Sequence, residues 1–242
     1  ARAIATSFPN FVALMRNLGG TIITNTKLEM EKRHLVIAVD GPAASGKGTL
    51  ARRLAEHFGL AYLDTGSLYR AVGMRVVYAD KDPNNVVAAI AASRAIQDHD
   101  LANPKIRSER IGKAAAIISA IPEVREALLE YQRDFAKRDG GAVLDGRDIG
   151  TIVCPDADFK LFITASLETR TARRHKELSE MGIKVDYASV EQDLKERDKR
   201  DSERTVAPLK PADDAIIVDT SELSANQVLE NTLEIIRKRL AN

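Results

Sequence analysis

The 242-residue chain has no tryptophan, a single cysteine and only 5% aromatic residues. It also lacks any apolar run near the roughly 18 residues that a membrane-spanning helix needs, so no membrane partner is expected. One cysteine, Cys154, cannot close an internal disulfide, which agrees with a reducing compartment, and a cytoplasmic location is expected. Cys154 follows Ile152-Val153 with no histidine beside it, and reads as a small apolar residue rather than a nucleophile. Charge of one sign is missing too: 36 basic and 35 acidic residues leave a net charge of +1. Such balance argues against a field suited to nucleic acid. Any anion must then be met by local placement of arginine. Repeats and low-complexity tracts are absent, and 44% hydrophobic with 29% charged residues is ordinary globular composition.

The chain is organised around Leu35 to Leu50. Leu35–Val39 is apolar and β-branched, ends at Asp40, and suits a strand buried on both faces of a parallel sheet. Gly41, Pro42, Ala43, Ala44, Ser45, Gly46, Lys47, Gly48 and Thr49 follow, opening a segment with Leu50, Leu54 and Phe58 at helical spacing. Glycines allow tight turning with inward N–H groups, the helix N-terminus adds positive potential, and Lys47 is a mobile cation for β/γ-phosphates. The spacing G-x4-G-K fits Walker A, but Gly48 follows the lysine, so the hydroxyl that can hold hydrated Mg²⁺ falls to Thr49.

Further strands are predicted at Leu60–Leu63, Ala142–Asp145, Phe159–Thr164 and Ala215–Val218. Ser67 is the expected N-cap of a helix carrying Arg70, at the strand edge where α/β sheets bind ligands. Asp145 ends an apolar strand, the Walker B arrangement. Between Lys81 and Arg138 the reading is all helical, with Val86–Ile96 a helix, Gln97–Lys105 a loop, and helices opening at Ser108 and Pro122. Arg170, Arg173 and Arg174 share one helix face, where an anion would relieve their repulsion. Arg197, Arg200, Asp201 and Arg204 share a face of a second charged helix, read as a mobile flap able to close over phosphates. Residues 1–33, in which Ala1 to Lys27 contain no acid, are expected to be a flexible extension without function.

GPAASGKGT, LDTGSLYR, IPEVREALLEYQRDF, LDGRDIGT and ERDKRDSERTVAPL stand in the order and spacing of bacterial cytidylate kinases, which the chain resembles from about Leu35 to its end. The resemblance implies an α/β P-loop NTPase core with a five-stranded parallel sheet flanked by helices. It places that core at 34–80, 139–169 and 205–242, a helical monophosphate-binding lobe at 81–138 and a lid at 170–204 of a kinase domain spanning 34–242. It implies phosphoryl transfer from ATP to CMP or dCMP with Mg²⁺, and a monomer is expected. Lys47 and the loop 41–49, with Arg170, would hold ATP. Thr65, Arg70, Arg125, Arg147, Asp148, Arg197, Asp201 and Arg204 would hold the acceptor. Among these Arg70, Arg147 and Arg204 would clamp its phosphate, Arg125 and Asp148 approach the base, and Arg197 and Asp201 the sugar. Lys47, Arg147, Arg174 and Arg204 would serve catalysis, and Thr49, directly or through water, with Asp40 and Asp145 in the outer shell, would serve the metal. Two departures stand out: Ala116 lies where many relatives have serine, and Arg94–Ile111 is too short and polar for the small sheet many carry in this lobe.

Two other readings share these residues. One is a kinase for another small acceptor such as AMP, UMP or shikimate. The other is a GTPase-type switch or non-catalytic nucleotide-binding module, which the absence of an N-K-x-D motif disfavours.

Overall fold

A computed structural model describes residues 34–241 of the protein. The extension expected over residues 1–33 lies outside the described residues. Strand β1 (Leu35–Asp40) is the centre of the sheet, pairing in parallel with β3 (Gly141–Gly146) on one side and β4 (Phe159–Thr164) on the other. Strands β2 (Ala61–Asp64) and β5 (Ile216–Asp219) complete the all-parallel order β2-β3-β1-β4-β5. Ile37, Ala38 and Val39 are wholly buried because both faces are covered, which is why this strand is continuously apolar rather than alternating. Gly141 (φ +101°) lets β3 start beside β1, since a Cβ there would stand 2.1 Å from the Leu35 carbonyl oxygen.

Parallel strands need crossovers, and helices supply them on both faces. On one face α1 (Lys47–Phe58) and the closing helix α9 (Ala225–Ala241) pack Leu50, Leu54, Val228, Leu233 and Ile236 against Ile37, Val39, Leu161 and Ile163. On the other, α2 (Thr65–Tyr78) and α6 (Pro122–Ala136) bring Leu68, Val72, Leu128 and Phe135 onto Ala38, Ala142 and Leu144. Helix α2 begins two residues before Ser67. Its N-cap is Asp64, whose carboxylate accepts from Ser67 N at 3.3 Å and Ser67 Oγ at 2.8 Å.

The segment between α2 and β3 is helical: α3 (Val86–Arg94), α4 (Asp98–Leu101), a 3₁₀ turn (Pro104–Arg107), α5 (Glu109–Ile118), then α6. The expected loop over 97–105 is therefore corrected to a helical turn and the start of the 3₁₀ turn. Asp100 explains it, accepting from Gln97 N at 2.9 Å while Arg75 of α2 donates to it at 2.8 Å, a tertiary contact that polarity alone hides. Helix α5 lies close against α2 at Gly73, where an added Cβ would meet Ala115 N at 3.2 Å.

After β3 a π-helical turn (Ile149–Val153) leads to β4, and α7 (Leu167–Glu180) and α8 (Tyr187–Glu203) pack against each other before β5. Ser166 caps α7, accepting from Thr169 N at 3.1 Å.

Candidate active site

The loop between β1 and α1 has the backbone of an anion cradle. Gly41 (φ +151°) passes so near β4 that a Cβ would stand 2.1 Å from the Ile163 carbonyl oxygen, and Gly46 (φ +89°) turns the chain into the helix. Lys47 is the first residue of α1, with Nζ donating to the Pro42 carbonyl oxygen at 3.3 Å. Desolvation, then the charge of Arg147, lower its pKa well below that of a free lysine. Asp145 moves the other way, raised by burial and by the carboxylate of Asp64. A half-buried lysine and a buried acid, each poorly stabilised, are what an incoming phosphate and cation would relieve.

Gly48 is explained by the same acid. A Cβ at Gly48 would lie 2.9 Å from Asp145 Oδ2, so glycine after the lysine admits the strand-end carboxylate to the loop. Thr49 is exposed in the first turn of α1. Asp40 is engaged elsewhere: its two oxygens accept from Ile149 N at 2.8 Å and Gly150 N at 2.7 Å. Burial pushes its pKa up to about 6, against the pull of those two amides. It thereby fixes the turn directly after Arg147 and Asp148.

A second cluster surrounds Asp148 and Asp201. Arg125 Nη2 lies 2.5 Å from Asp148 and Arg204 Nη2 3.6 Å from its other oxygen. Arg125 also lies over the Tyr69 ring, 5.6 Å from its centroid, and donates to Ser119 O at 3.3 Å. Arg147 Nε donates to Asp201 Oδ2 at 2.7 Å, and Arg197 approaches the same oxygen at 4.0 Å. Burial pushes Asp201 up, but Arg147, Arg197 and Arg204 outweigh it and hold the carboxyl below its ordinary range. Arg197 has 48% of its side chain exposed but is crowded by other cations. Desolvation there, then Arg147, Arg70 and Arg174, bring its pKa down to about 10. Arg204 donates through Nε to Ala207 O, while its Nη2 is buried without a hydrogen-bond acceptor.

Arg197 therefore lies within the fields of Arg70, Arg147 and Arg174, Lys47 within those of Arg147 and Arg197, and Arg125 and Arg204 share Asp148. Cations gathered this way leave a place for polyanions. Arg70 is anchored by donation to Ile106 O at 3.1 Å and lies against Gly112, where a Cβ would meet its Nη1 at 3.1 Å. Thr65 is buried, its hydroxyl donating to Asp145 O at 2.7 Å, so here it ties α2 to β3. Ala116 lies in α5, one wall of a cavity of about 600 Å³ also lined by Ile117, Ile121, Glu123 and Arg200.

The trio on α7 diverges. Arg170 is buried and paired with Asp198 at 2.6 Å, and Arg174 bonds Glu177 at 2.7 Å. Arg173 braces Thr220, donating to its hydroxyl at 2.8 Å and its carbonyl at 2.6 Å. Their mutual repulsion is met by acids and carbonyls of the fold itself. Sequence reasoning passed over Asp64 and Asp198. Asp64 was visible as the acid ending β2, but nothing local in ERDKRD distinguishes the inward Asp198 from its neighbours.

Residues 37–238 match the family model described as cytidylate kinase. The chain belongs to the cytidylate kinase family. It is 54% identical over 202 residues to the cytidylate kinase of Methylocella silvestris, covering 84% of this chain and 94% of that one. With the cytidylate kinase of Rhodospirillum rubrum it shares 53% over 206 residues, 84% and 97% of the two chains. A crystal structure of an uncharacterized protein from Eubacterium ventriosum superimposes with a TM-score of 0.53 at 17% identity over 85% of this chain and 99% of that one, a likeness of fold. Among the described residues no helix is long and apolar enough to cross a membrane, and no group of three or more His, Cys, Asp or Glu is arranged to hold a metal.

Proposed function

We propose that this chain transfers the γ-phosphoryl group of ATP to CMP or dCMP, giving ADP and CDP or dCDP. One observation carries the reading: the glycine-wrapped Lys47 shares an electrostatic neighbourhood with Arg147 and Arg197, Arg197 in turn feels Arg70, and Arg204 keeps a buried N–H group without an acceptor. Buried donors are rarely left unsatisfied, and an acceptor phosphate would satisfy this one.

Transfer is direct and in line, because two phosphates that repel each other need positioning and countercharge more than covalent help. The loop 41–49 and Lys47 hold the donor, leaving the lysine poised to exchange Pro42 O for a phosphate oxygen. Arg70, Arg147 and Arg204 hold the acceptor phosphate, with Asp201 and Asp148 keeping two of these guanidinium groups in place. Arg125 and Asp148 face the base, and Arg197 with Asp201 the sugar. The acceptor oxygen is itself the nucleophile, so no separate base is required. Arg174, paired with Glu177, would leave that acid to serve the transferring group. The helical segment 81–138 serves as the acceptor lobe, and α7 and α8, over 170–204, as the lid that excludes water.

The donor set fits Mg²⁺ delivered with ATP: an exposed Thr49 hydroxyl at the helix start and the buried Asp145 carboxylate beside Gly48. The ion would neutralise charge on the β- and γ-phosphates. Asp40, committed to two amides, is left only the outermost place in that shell. A monomer in the cytoplasm accords with this reading.

A steady-state comparison of acceptors tests it. CMP and dCMP should be turned over far faster than AMP, UMP or shikimate, and preferential phosphorylation of AMP would refute it.

A further inference from the structure

Helix α8 carries Arg197 and Asp201, with Arg204 as its C-cap, yet over 17 residues it buries only Val190 and Leu194. Both pack on Ala43 of the phosphate loop, with Ala44, Leu167, Leu178 and Val185 around them. A helix so lightly held needs another attachment, and it has one on the same side. Asp198 Oδ2 meets Arg170 Nη1 at 2.6 Å, with the two side chains 28% and 8% exposed. Arg170 is in turn held by two carbonyls: Nε donates to Ala165 O at 3.1 Å, at the end of β4, and Nη1 to Ala43 O at 3.5 Å. One guanidinium thus joins the sheet edge, the donor loop and the arginine helix.

We infer that Asp198 is a positioning residue which, through Arg170, sets the acceptor-binding side chains of α8 at a fixed distance from the donor phosphate loop. The inference rests on the phosphoryl-transfer reading above, and it gives Arg170 a different task from contact with ATP. Asp198 sits one residue after Arg197, three before Asp201 and six before Arg204, so a slip at this anchor displaces all three. The pair is a single contact: Asp198 Oδ1 is buried with no hydrogen-bond donor. A monodentate pair lets α8 pivot about one point, whereas a bidentate pair would lock its angle. That suits a helix which must swing over a substrate while its base stays put.

The test compares the wild type with Asp198→Ala, Asp198→Asn and Asp198→Glu. CMP turnover by the wild type reports on the proposed function separately from the variants. In Asp198→Ala, KM for CMP should rise about tenfold or more, since small misplacements of binding groups are costly in transfer reactions, while KM for ATP stays within twofold. Asp198→Glu, which keeps the charge, should recover most of the CMP affinity, and Asp198→Asn should fall between. A readout independent of activity is trypsin cleavage at Lys195, Lys199, Arg200 and Arg204 without substrates, which should quicken several-fold in Asp198→Ala and not in Asp198→Glu. Should Asp198→Ala fail to fold, Asp198→Asn carries the same comparison. Unchanged KM for CMP and unchanged cleavage would overturn the inference. So would an equal rise in KM for both substrates that Asp198→Glu does not repair.

Discussion

Asp148→Asn isolates charge from shape at the point where two guanidinium groups converge. Asp148 is buried, bonded to Arg125 Nη2 at 2.5 Å and facing Arg204 Nη2 at 3.6 Å, and the three side chains are 9%, 10% and 14% exposed. Asparagine keeps the volume and one acceptor oxygen but leaves two cations opposed in a poorly solvated place. Removing one partner of a buried pair costs about 3–5 kcal/mol. The retained oxygen and the looser contact with Arg204 put this substitution near the lower end of that range. For a domain of this size about 1 kcal/mol lowers Tm by roughly 2–4 °C, so a fall of about 6–12 °C is expected.

The same loss should appear in catalysis if Asp148 orients the acceptor site, because about 1.4 kcal/mol is a tenfold change. For CMP, kcat/KM should then drop by roughly two orders of magnitude, while KM for ATP, bound at the loop around Lys47, stays within twofold. Differential scanning calorimetry and a coupled ADP assay on the same preparation measure both. A lowered Tm with kcat/KM for CMP within threefold of the wild type would show that Asp148 only braces the fold, and the assignment of this cluster to the acceptor would fail.

Gly48→Ala places a Cβ 2.9 Å from Asp145 Oδ2 and must displace that carboxylate, so kcat should fall at least about tenfold while stability changes by no more than about 1–3 kcal/mol; an unchanged kcat would show that Asp145 need not stand there. Lys47→Met removes a cation that burial already disfavours, so kcat should fall by roughly 10²–10³ with Tm equal or higher, and calorimetric CMP affinity should stay within a few-fold. Asp40 is raised from 3.8 to about 6 in the folded protein, so folding takes up a proton between those values and its contribution to stability is lost as pH rises through about 6. Relative to Asp40→Asn, the wild type should therefore lose up to about 3 kcal/mol between pH 4 and 7.5, read from urea midpoints; a difference growing in the wild type's favour as pH rises would contradict the burial argument.

The donor half of the site was legible because its causes are local. Strand β1, the glycine loop and the start of α1 are consecutive, and each glycine is demanded by a close approach or a positive φ that no other residue accepts as easily. All five strands follow the same logic, with ends displaced by a residue or two where hydrogen bonding rather than hydrophobicity sets the boundary. The acceptor half is different. Helical spacing states which side of α7 carries Arg170, Arg173 and Arg174, but not what faces that side. The answers, Asp198, Thr220 and Glu177, come from α8, from the end of β5 and from α7 itself. The helical turn at Asp98–Leu101 and the π-turn after Asp148 were hidden for the same reason, since Arg75 and Asp40 stabilise them from distant parts of the chain. A motif such as ERDKRDSER therefore records that a cluster of charge exists without saying how it is divided. Asp201 and Arg204 turn toward the acceptor cluster, while Asp198, in the same helix, turns toward the donor loop. On the proposed function, that division would let one helix be fastened to the donor side while presenting its cations to the other substrate, a requirement of any catalyst that must bring two anions together.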